Sequence, residues 1–479
     1  MSPNAETASH APRDADFLSR LESIIGAANV ITAPAEMASY LTEPRDRFHS
    51  KALCVARPAS TAEVATLVAL CAETGTAVVP QGGNTGLVGG QVPSARGDEL
   101  ILSLTRMNRL READPSSNTL IVEAGMTLAQ VHAEADRADR YFPLSFASEH
   151  TCTIGGNLAT NAGGVAVLAY GNARDLTLGL EVVLADGRIL SDLSKLRKNN
   201  TGYDLKNLFI GSEGTLGIIT AAVLKLYPKP RVFATAFAGL RDPRQALRLL
   251  DLAHAVAGND VKTFELIPRI GIDFVLAHEA NTSDPLPARH NHYVLMELAS
   301  QSDGLDARMG RLLDEAKKNG IIEDASVAGS TDQRSAFWRV RERLPDSQRY
   351  EGGSIKHDVS VPVSDVPAFL TEVEAAVTRY MPGARLVAFG HLGDGNIHCN
   401  VSQPVGADKA GFLAQWDSVN EIVHAIVAAH KGSISAEHGI GQLKRKLLPG
   451  VKDPVALDLM RSLKATLDPK SILNPGKVL

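Results

Sequence analysis

The sequence predicts an α+β protein built from more than one domain. Strand, helix and strand follow one another from Leu53 to Pro80, and a glycine-rich loop begins directly at the second strand's end. The stretch to about residue 228 is rich in short strands and loops, whereas beyond it longer helical stretches alternate with strands. At 479 residues, 44% hydrophobic and 22% charged, the chain has the length for two or three domains and the apolar content for a large core.

In chain order, residues 17 to 45 read as a helix and a polar connection, and Leu53 to Ser60 as a short strand ending at a proline turn. Thr61 to Glu73 places Val64, Leu67, Val68 and Cys71 at helical spacing, and Ser60 with Glu63 makes a capping-box pattern at its start. Ala77 to Pro80 reads as a strand, as do Glu99 to Leu104 and Asn118 to Gly125, with Asp114-Pro115 as a turn signal between them. Leu180 to Leu190 reads as a hairpin with Asp186-Gly187 as its two-residue turn. The Pro-Lys-Pro-Arg segment at Pro228 breaks this pattern and marks a domain boundary. Beyond it, His292 to Ala299 and Arg385 to Leu392 are strands, and residues 454 to 466 form a helix with Leu457, Met460, Leu463 and Leu467 on one face.

The formal charge of −5 comes without any basic run, so no nucleic-acid partner is expected and a small molecule is the default. The first seventeen residues lack the apolar core of a secretory signal, and no apolar run is long enough to span a bilayer, so a cytoplasmic location is expected. Cys54, Cys71, Cys152 and Cys399 are scattered without paired spacing, which favours reduced structural thiols over a zinc ribbon or a disulfide framework.

Three glycine-rich stretches stand out. PQGGNTGLVGG (Pro80 to Gly90) holds five glycines in eleven residues, TIGGNLATNAGG ends at Gly164 with four, and GSEGTLGIIT runs from Gly211 to Thr220. Glycine lets consecutive N–H groups converge on an anion with no Cβ in the way, and such nests bind a diphosphate. One such stretch is as readily an irregular turn; three within one domain point to a ligand. Neither the G-x-G-x-x-G dinucleotide fingerprint nor a G-x-x-x-x-G-K-[ST] phosphate loop is present, which disfavours a nicotinamide or ATP site.

These stretches, with YGNARD at Tyr170, resemble the FAD-binding motifs of the vanillyl-alcohol oxidase type flavoproteins over nearly the whole chain. The resemblance implies a PCMH-type FAD-binding domain of two α+β subdomains at 17–228 and an α+β cap with an antiparallel sheet at 229–450. A C-terminal helix and tail at 451–479 would then return to the FAD domain. It assigns the cofactor to Pro80, Gly82, Gly83, Asn84, Thr85, Gly86, Leu87, Ser148, Thr153, Gly155, Gly156, Asn157, Asn161, Gly163, Glu213, Ile218, Ile219 and Asn474. Many relatives attach flavin to a histidine in the first stretch; this chain has Asn84 in that region, so dissociable FAD is expected.

GHLGDGNIHCN (Gly390 to Asn400) sets His391 and His398 on either side of a tight turn that would bring both imidazoles to one side, and SAEHGIG supplies Glu437 and His438. Two histidines and a carboxylate are a common metal set with open positions for substrate. Isolated histidines such as His254, His290, His292, His424 and His430 have no such setting and read as structural. The two motifs resemble the metal sites of FAD-linked D-2-hydroxyacid dehydrogenases, those for D-2-hydroxyglutarate and D-lactate among them. The likeness implies zinc on His391, His398 and Glu437, although iron, manganese or cobalt suits the same donors. An α-hydroxy acid would chelate the ion, His438 would take the hydroxyl proton, and the α-hydrogen would leave as hydride to flavin N5. Asp394 reads as a turn residue.

Arg339, Arg341, Arg343, Arg349 and Lys356 crowd the segment from Phe337 to Val363. A helical charge run is usually a solvated face, but Arg341, Lys356 and Asn400 match substrate-contacting positions of the resembling family. Four positions after Arg341, where the 2-hydroxyglutarate enzyme has a hydroxyl side chain, this chain has Pro345, which offers no donor to a distal carboxylate. The resemblance nonetheless implies oxidation of D-2-hydroxyglutarate, with D-malate as a further substrate. The alternatives are a D-lactate dehydrogenase or glycolate oxidase-type subunit, and a non-catalytic flavin-binding subunit. Electrons would pass to a carrier such as electron transfer flavoprotein or a quinone, or to oxygen in an oxidase, and a homodimer is the assembly considered.

Overall fold

The computed structural model describes residues 11–479. The reading of the first seventeen residues therefore falls largely outside the described part. The chain forms two compact units: the first takes the described residues up to Ala162, Asn172–Pro228 and His438–Leu479, and the second takes Gly163–Gly171 and Lys229–Glu437.

In the first unit, Cys54–Ala56 and Val78–Gln81 flank Leu100–Ser103 in parallel, and Val30–Ile31 adds an antiparallel edge. The helix Thr61–Thr74 buries Val64, Leu67, Val68, Leu70 and Cys71 in the core that also holds Phe17 and Leu21. Ser60 Oγ accepts the Glu63 N–H at 3.2 Å, but the Glu63 carboxylate turns to the Ala59 N–H at 2.7 Å, so only one arm of the expected box forms. The complete box belongs to Thr127 and Gln130, at the start of Leu128–Arg137. The second sheet is antiparallel throughout, in the order Leu110–Asp114, Thr119–Glu123, Ile218–Lys225, Thr177–Val183, Ile189–Asp192.

Several sequence readings are corrected here. The polar connection before residue 45 contains a second helix, Pro34–Leu41, entered through Pro34 in its first turn. The hairpin at Asp186-Gly187 has three loop residues: Leu184 and Arg188 close it with a 2.9 Å bond, and Gly187 takes φ 84°. The second glycine stretch begins as a short helix, Ile154–Ala159, and only its later half is loop. The helix Pro454–Leu467 buries only Leu457 of its expected apolar face, and Leu463 is 37% exposed. Residues 438–450 join the first unit, because the carbonyl of Val88 accepts the N–H groups of Gln442 and Leu443.

The second unit is an eight-stranded sheet. Its order runs Asp324–Val327, Val232–Leu240, His292–Ser300, Val261–Pro268, Arg385–His391, Asn396–Ser402 and Ser354–Ile355, with Asp358–Ser360 also on Asn396–Ser402. Period-two alternation divides these strands between two faces. Phe264, Leu266, Ala388, Ile397, Cys399 and Val401 enter the larger core with the helices Pro243–Ala257, Leu305–Lys318, Val366–Tyr380 and Trp416–Ala429. Ile267, Leu295, Val387 and Phe389 face the other way, against the helices Arg269–His278 and Thr331–Ser347. No helix among the described residues is long and apolar enough to cross a membrane.

Candidate active site

The first glycine stretch leaves the end of Val78–Gln81, and among the described residues no backbone N–H from Gly82 to Gln91 donates a hydrogen bond within the chain. A run of unclaimed donors at a strand end fits a diphosphate. The glycines serve packing as well. A Cβ on Gly82 would stand 2.1 Å from Thr153 Oγ1, one on Gly83 1.8 Å from the Thr151 carbonyl oxygen, and one on Gly155 2.7 Å from Ala124 Cβ. Thr153 Oγ1 itself is buried without a partner among the described residues.

The remaining residues assigned to the cofactor take varied places. Pro80 packs on Gly214, where a Cβ would come within 2.4 Å of it, and Gly86 leans on Gln91. Asn84, at φ 53°, donates to the carbonyls of Ser39 and Thr42 at 3.0 and 2.7 Å. Asn161 Oδ1 accepts from the Arg174 N–H at 3.0 Å, and the Ser148 carbonyl caps Thr151 and Cys152. Ile218 and Ile219 are buried in the central strand of the second sheet. The Glu213 carboxylate, whose protonation burial favours, accepts the N–H groups of Ile440 and Gly441 at 2.7 and 2.8 Å. Asn474 donates its amide to the carbonyls of Gly90 and Glu213. The side chains of Glu213 and Asn474 are therefore spent on joining the first and third glycine stretches to the segment after His438, a role the sequence reading did not foresee. Gly163 lies in the second unit, where its Cβ would stand 3.0 Å from Glu437 Oε1.

The second unit gathers the histidines. The hairpin of Arg385–His391 and Asn396–Ser402 turns through Leu392–Asp394 and Gly395, at φ 77°, with Asp394 accepting the Asn396 N–H at 2.9 Å. The register sets His391 opposite Asn396 and Phe389 opposite His398, so His391, His398 and Asn400 share the sheet face away from the larger core. The His391 and His398 ring centroids are 6.2 Å apart. Glu437 Oε1 lies 3.8 Å from His391 Nε2, and Oε2 lies 4.0 Å from His398 Nε2. One ligand atom from each of the three falls within 4.8 Å of the others, close enough to share one ion after small side-chain movements. Burial pushes the Glu437 carboxyl well above the usual carboxylate range, a cost that a cation would remove. The Glu437 N–H is held by Asp358 Oδ2 at 2.9 Å.

Behind His391 stands Glu265, fully buried and directly opposite it on the neighbouring strand. Its Oε1 accepts from His391 Nδ1 and its Oε2 from Arg341 Nε at 2.5 Å. Burial opposes ionisation of Glu265, but the Arg341 and His391 charges outweigh it and hold the carboxyl below its ordinary value. Burial likewise lowers His391, and the Glu265 carboxylate more than reverses that. Arg341, on the helix Thr331–Ser347, lies over the Phe389 ring at 4.8 Å and is 7% exposed. The same helix runs through Pro345, which has no N–H to return to the Arg341 carbonyl. Asn400 donates to Gln348 at 2.9 Å, and Lys356 is half-buried beside Ile355. Sequence reasoning missed Glu265 and Asp358. The available signal was an acid inside an apolar strand, which must have a partner to be buried.

Comparison with known proteins identifies the family. The family model for the C-terminal domain of FAD linked oxidases matches residues 229–478, and the FAD binding domain model matches 52–192. The mitochondrial D-2-hydroxyglutarate dehydrogenase of Bos taurus is 39% identical over 467 residues, 97% of this chain and 83% of that protein. The D-2-hydroxyglutarate dehydrogenase of Xanthomonas citri pv. viticola is 37% identical over 459 residues, 96% of each chain. Among solved structures, p-cresol methylhydroxylase with substrate bound superposes with a TM-score of 0.77 at 18% identity, covering 97% of this chain and 96% of that one, a likeness of fold alone. Glycine stretches fit for FAD, a PCMH-type fold and relatives matched over most of their length place this chain in the family of FAD-linked D-2-hydroxyacid dehydrogenases.

Proposed function

We propose that the chain oxidises D-2-hydroxyglutarate, and more slowly D-malate, to the 2-oxo acid, using non-covalent FAD and a divalent ion on His391, His398 and Glu437. The observation that carries this reading is the convergence of those three ligands on one sheet face, with Arg341 held beside them through Glu265. The choice of substrate is supported by the likeness to the bovine and bacterial D-2-hydroxyglutarate dehydrogenases. Non-covalent attachment is supported by Asn84, whose amide is already engaged by Ser39 and Thr42.

Bound FAD supplies at N5 an acceptor for the α-hydrogen, and the bound ion, zinc by family likeness, supplies Lewis acidity at the substrate hydroxyl. His391, His398 and Glu437 would hold the ion, a three-donor protein set of the kind that accommodates a substrate. Arg341 and Lys356 neutralise substrate carboxylates, and Asn400, two residues from His398 on the same face, adds a polar contact. His438, next in sequence to Glu437, accepts the hydroxyl proton. The electron acceptor proposed is a carrier such as electron transfer flavoprotein or a quinone, and the assembly proposed is a homodimer.

Anaerobic bleaching of the flavin tests the reading. D-2-hydroxyglutarate is expected to bleach fastest among D-2-hydroxyglutarate, D-malate, D-lactate and glycolate, with the reaction lost on chelation and restored by Zn²⁺. Bleaching by D-lactate alone would make Pro345 the decisive residue and move the assignment to a monocarboxylate. No bleaching by any of the four would leave a flavin-binding subunit, and fast reoxidation by air would make the chain an oxidase.

A further inference from the structure

We infer that Glu265 is the positioning residue of this site, a single buried carboxylate that fixes both the metal ligand His391 and the substrate anchor Arg341. The inference rests on the roles proposed above for those two residues. The antiparallel register places Glu265 directly across from His391, so their contact is set by the backbone. With Oε1 on His391 Nδ1, the ring keeps its proton on that nitrogen and turns Nε2 toward Glu437, the orientation a metal ligand needs. With Oε2 on Arg341 Nε and Phe389 under the guanidinium, the plane of Arg341 is fixed and its two terminal nitrogens keep the fork that grips a carboxylate end-on. Ion and carboxylate anchor are thus aligned to one another by the two oxygens of one side chain. A 2-hydroxy acid presents its hydroxyl and carboxylate oxygens at a fixed spacing, and this alignment suits that requirement.

The test is Glu265→Gln, examined first by Zn²⁺ titration of the metal-free, FAD-loaded protein against a competing chelator. Glutamine offers one acceptor oxygen, so it can receive His391 or Arg341 and must turn its own N–H toward the other. Zn²⁺ affinity is expected to fall roughly 10- to 100-fold with flavin content unchanged, and KM for D-2-hydroxyglutarate to rise even at saturating Zn²⁺. In E265Q/R341M the competing donor is gone, and the amide oxygen is available to His391. Zn²⁺ affinity should return to near wild type while KM stays high, a split that loss of a merely structural ion pair would not give. Wild-type Zn²⁺ affinity in folded E265Q overturns the proposal, and should E265Q fold poorly, a Zn²⁺ affinity in the double variant still tenfold or more below wild type overturns it equally. His391→Ala separates the two levels: if it also keeps Zn²⁺, the ligand set itself is wrong, and if only E265Q keeps it, the positioning role alone fails.

Discussion

Gly83 and Gly156 are glycine for different reasons. A Cβ on Gly83 would meet the Thr151 carbonyl oxygen at 1.8 Å, a backbone atom that cannot step aside, whereas one on Gly156 finds nothing nearer than Thr153 Oγ1 at 3.5 Å. Gly83→Ala is therefore expected to cost about 1–3 kcal/mol of stability and to lower flavin content with it. Gly156→Ala, within the helix Ile154–Ala159, should leave the melting temperature unchanged or slightly raised, so any loss of flavin there reports on cofactor contact alone. Thermal unfolding and the ratio of flavin to protein absorbance read both. The histidines and glycines of the site were legible in the sequence because their residue types are unusual in such clusters. Glu265 was not, because its partners lie on a neighbouring strand and a distant helix, 126 and 76 positions away, and nothing local announces them. Arg341 was read as a carboxylate anchor from family likeness, and nothing in the sequence announced that its Nε is committed to Glu265.

At the scale of elements, the Thr127–Gln130 box begins Leu128–Arg137, with Thr127 Oγ1 accepting from Gln130 and the Gln130 side chain accepting from Thr127. Thr127→Ala should cost about 0.5–2 kcal/mol, measured by urea unfolding, while Ser60→Ala, where only one arm of the box forms, should lie at the low end of that range. Strands with strong apolar content, His292–Ser300 and Arg385–His391 among them, were visible from composition. The hairpin after Val183 was visible as well, but its loop length was misread, since Asp-Gly suits a two-residue turn and a three-residue loop with Gly187 at positive φ equally well. The face taken by each strand was not legible. Glu265 stands between Phe264 and Leu266, and only the sheet order shows that those two enter the larger core while Glu265 turns toward Arg341.

For the whole molecule, the first and third glycine stretches lie in the first unit and the proposed ligands His391, His398 and Glu437 in the second, which also takes Gly163 and Gly164 from the end of the second stretch. Dialysis against a chelator is therefore expected to abolish turnover while leaving the bound-flavin spectrum in place, and loss of the colour with the metal would contradict that separation. All four cysteines are buried, with Cys54 and Cys399 pushed up to about 12 by burial. Maleimide labelling followed by mass analysis should find no modified thiol until denaturant is added. The division into units was only partly legible: the proline-rich break at Pro228 was readable, but the return of residues 438–450 to the first unit depends on backbone bonds to Val88 and Glu213 that carry no sequence signature.

The N–H of Val78 is held by the Ile472 carbonyl at 2.7 Å, and its carbonyl accepts the Asn474 N–H at 2.8 Å. The strand that leads into the first glycine stretch thus waits for a neighbour that leaves the ribosome only after residues 229–437 have been made. Chain order alone puts the completion of this strand last, and a chain cut short before Ile472 is expected to lose both bonds to Val78 and, with them, flavin content, read from the ratio of flavin to protein absorbance.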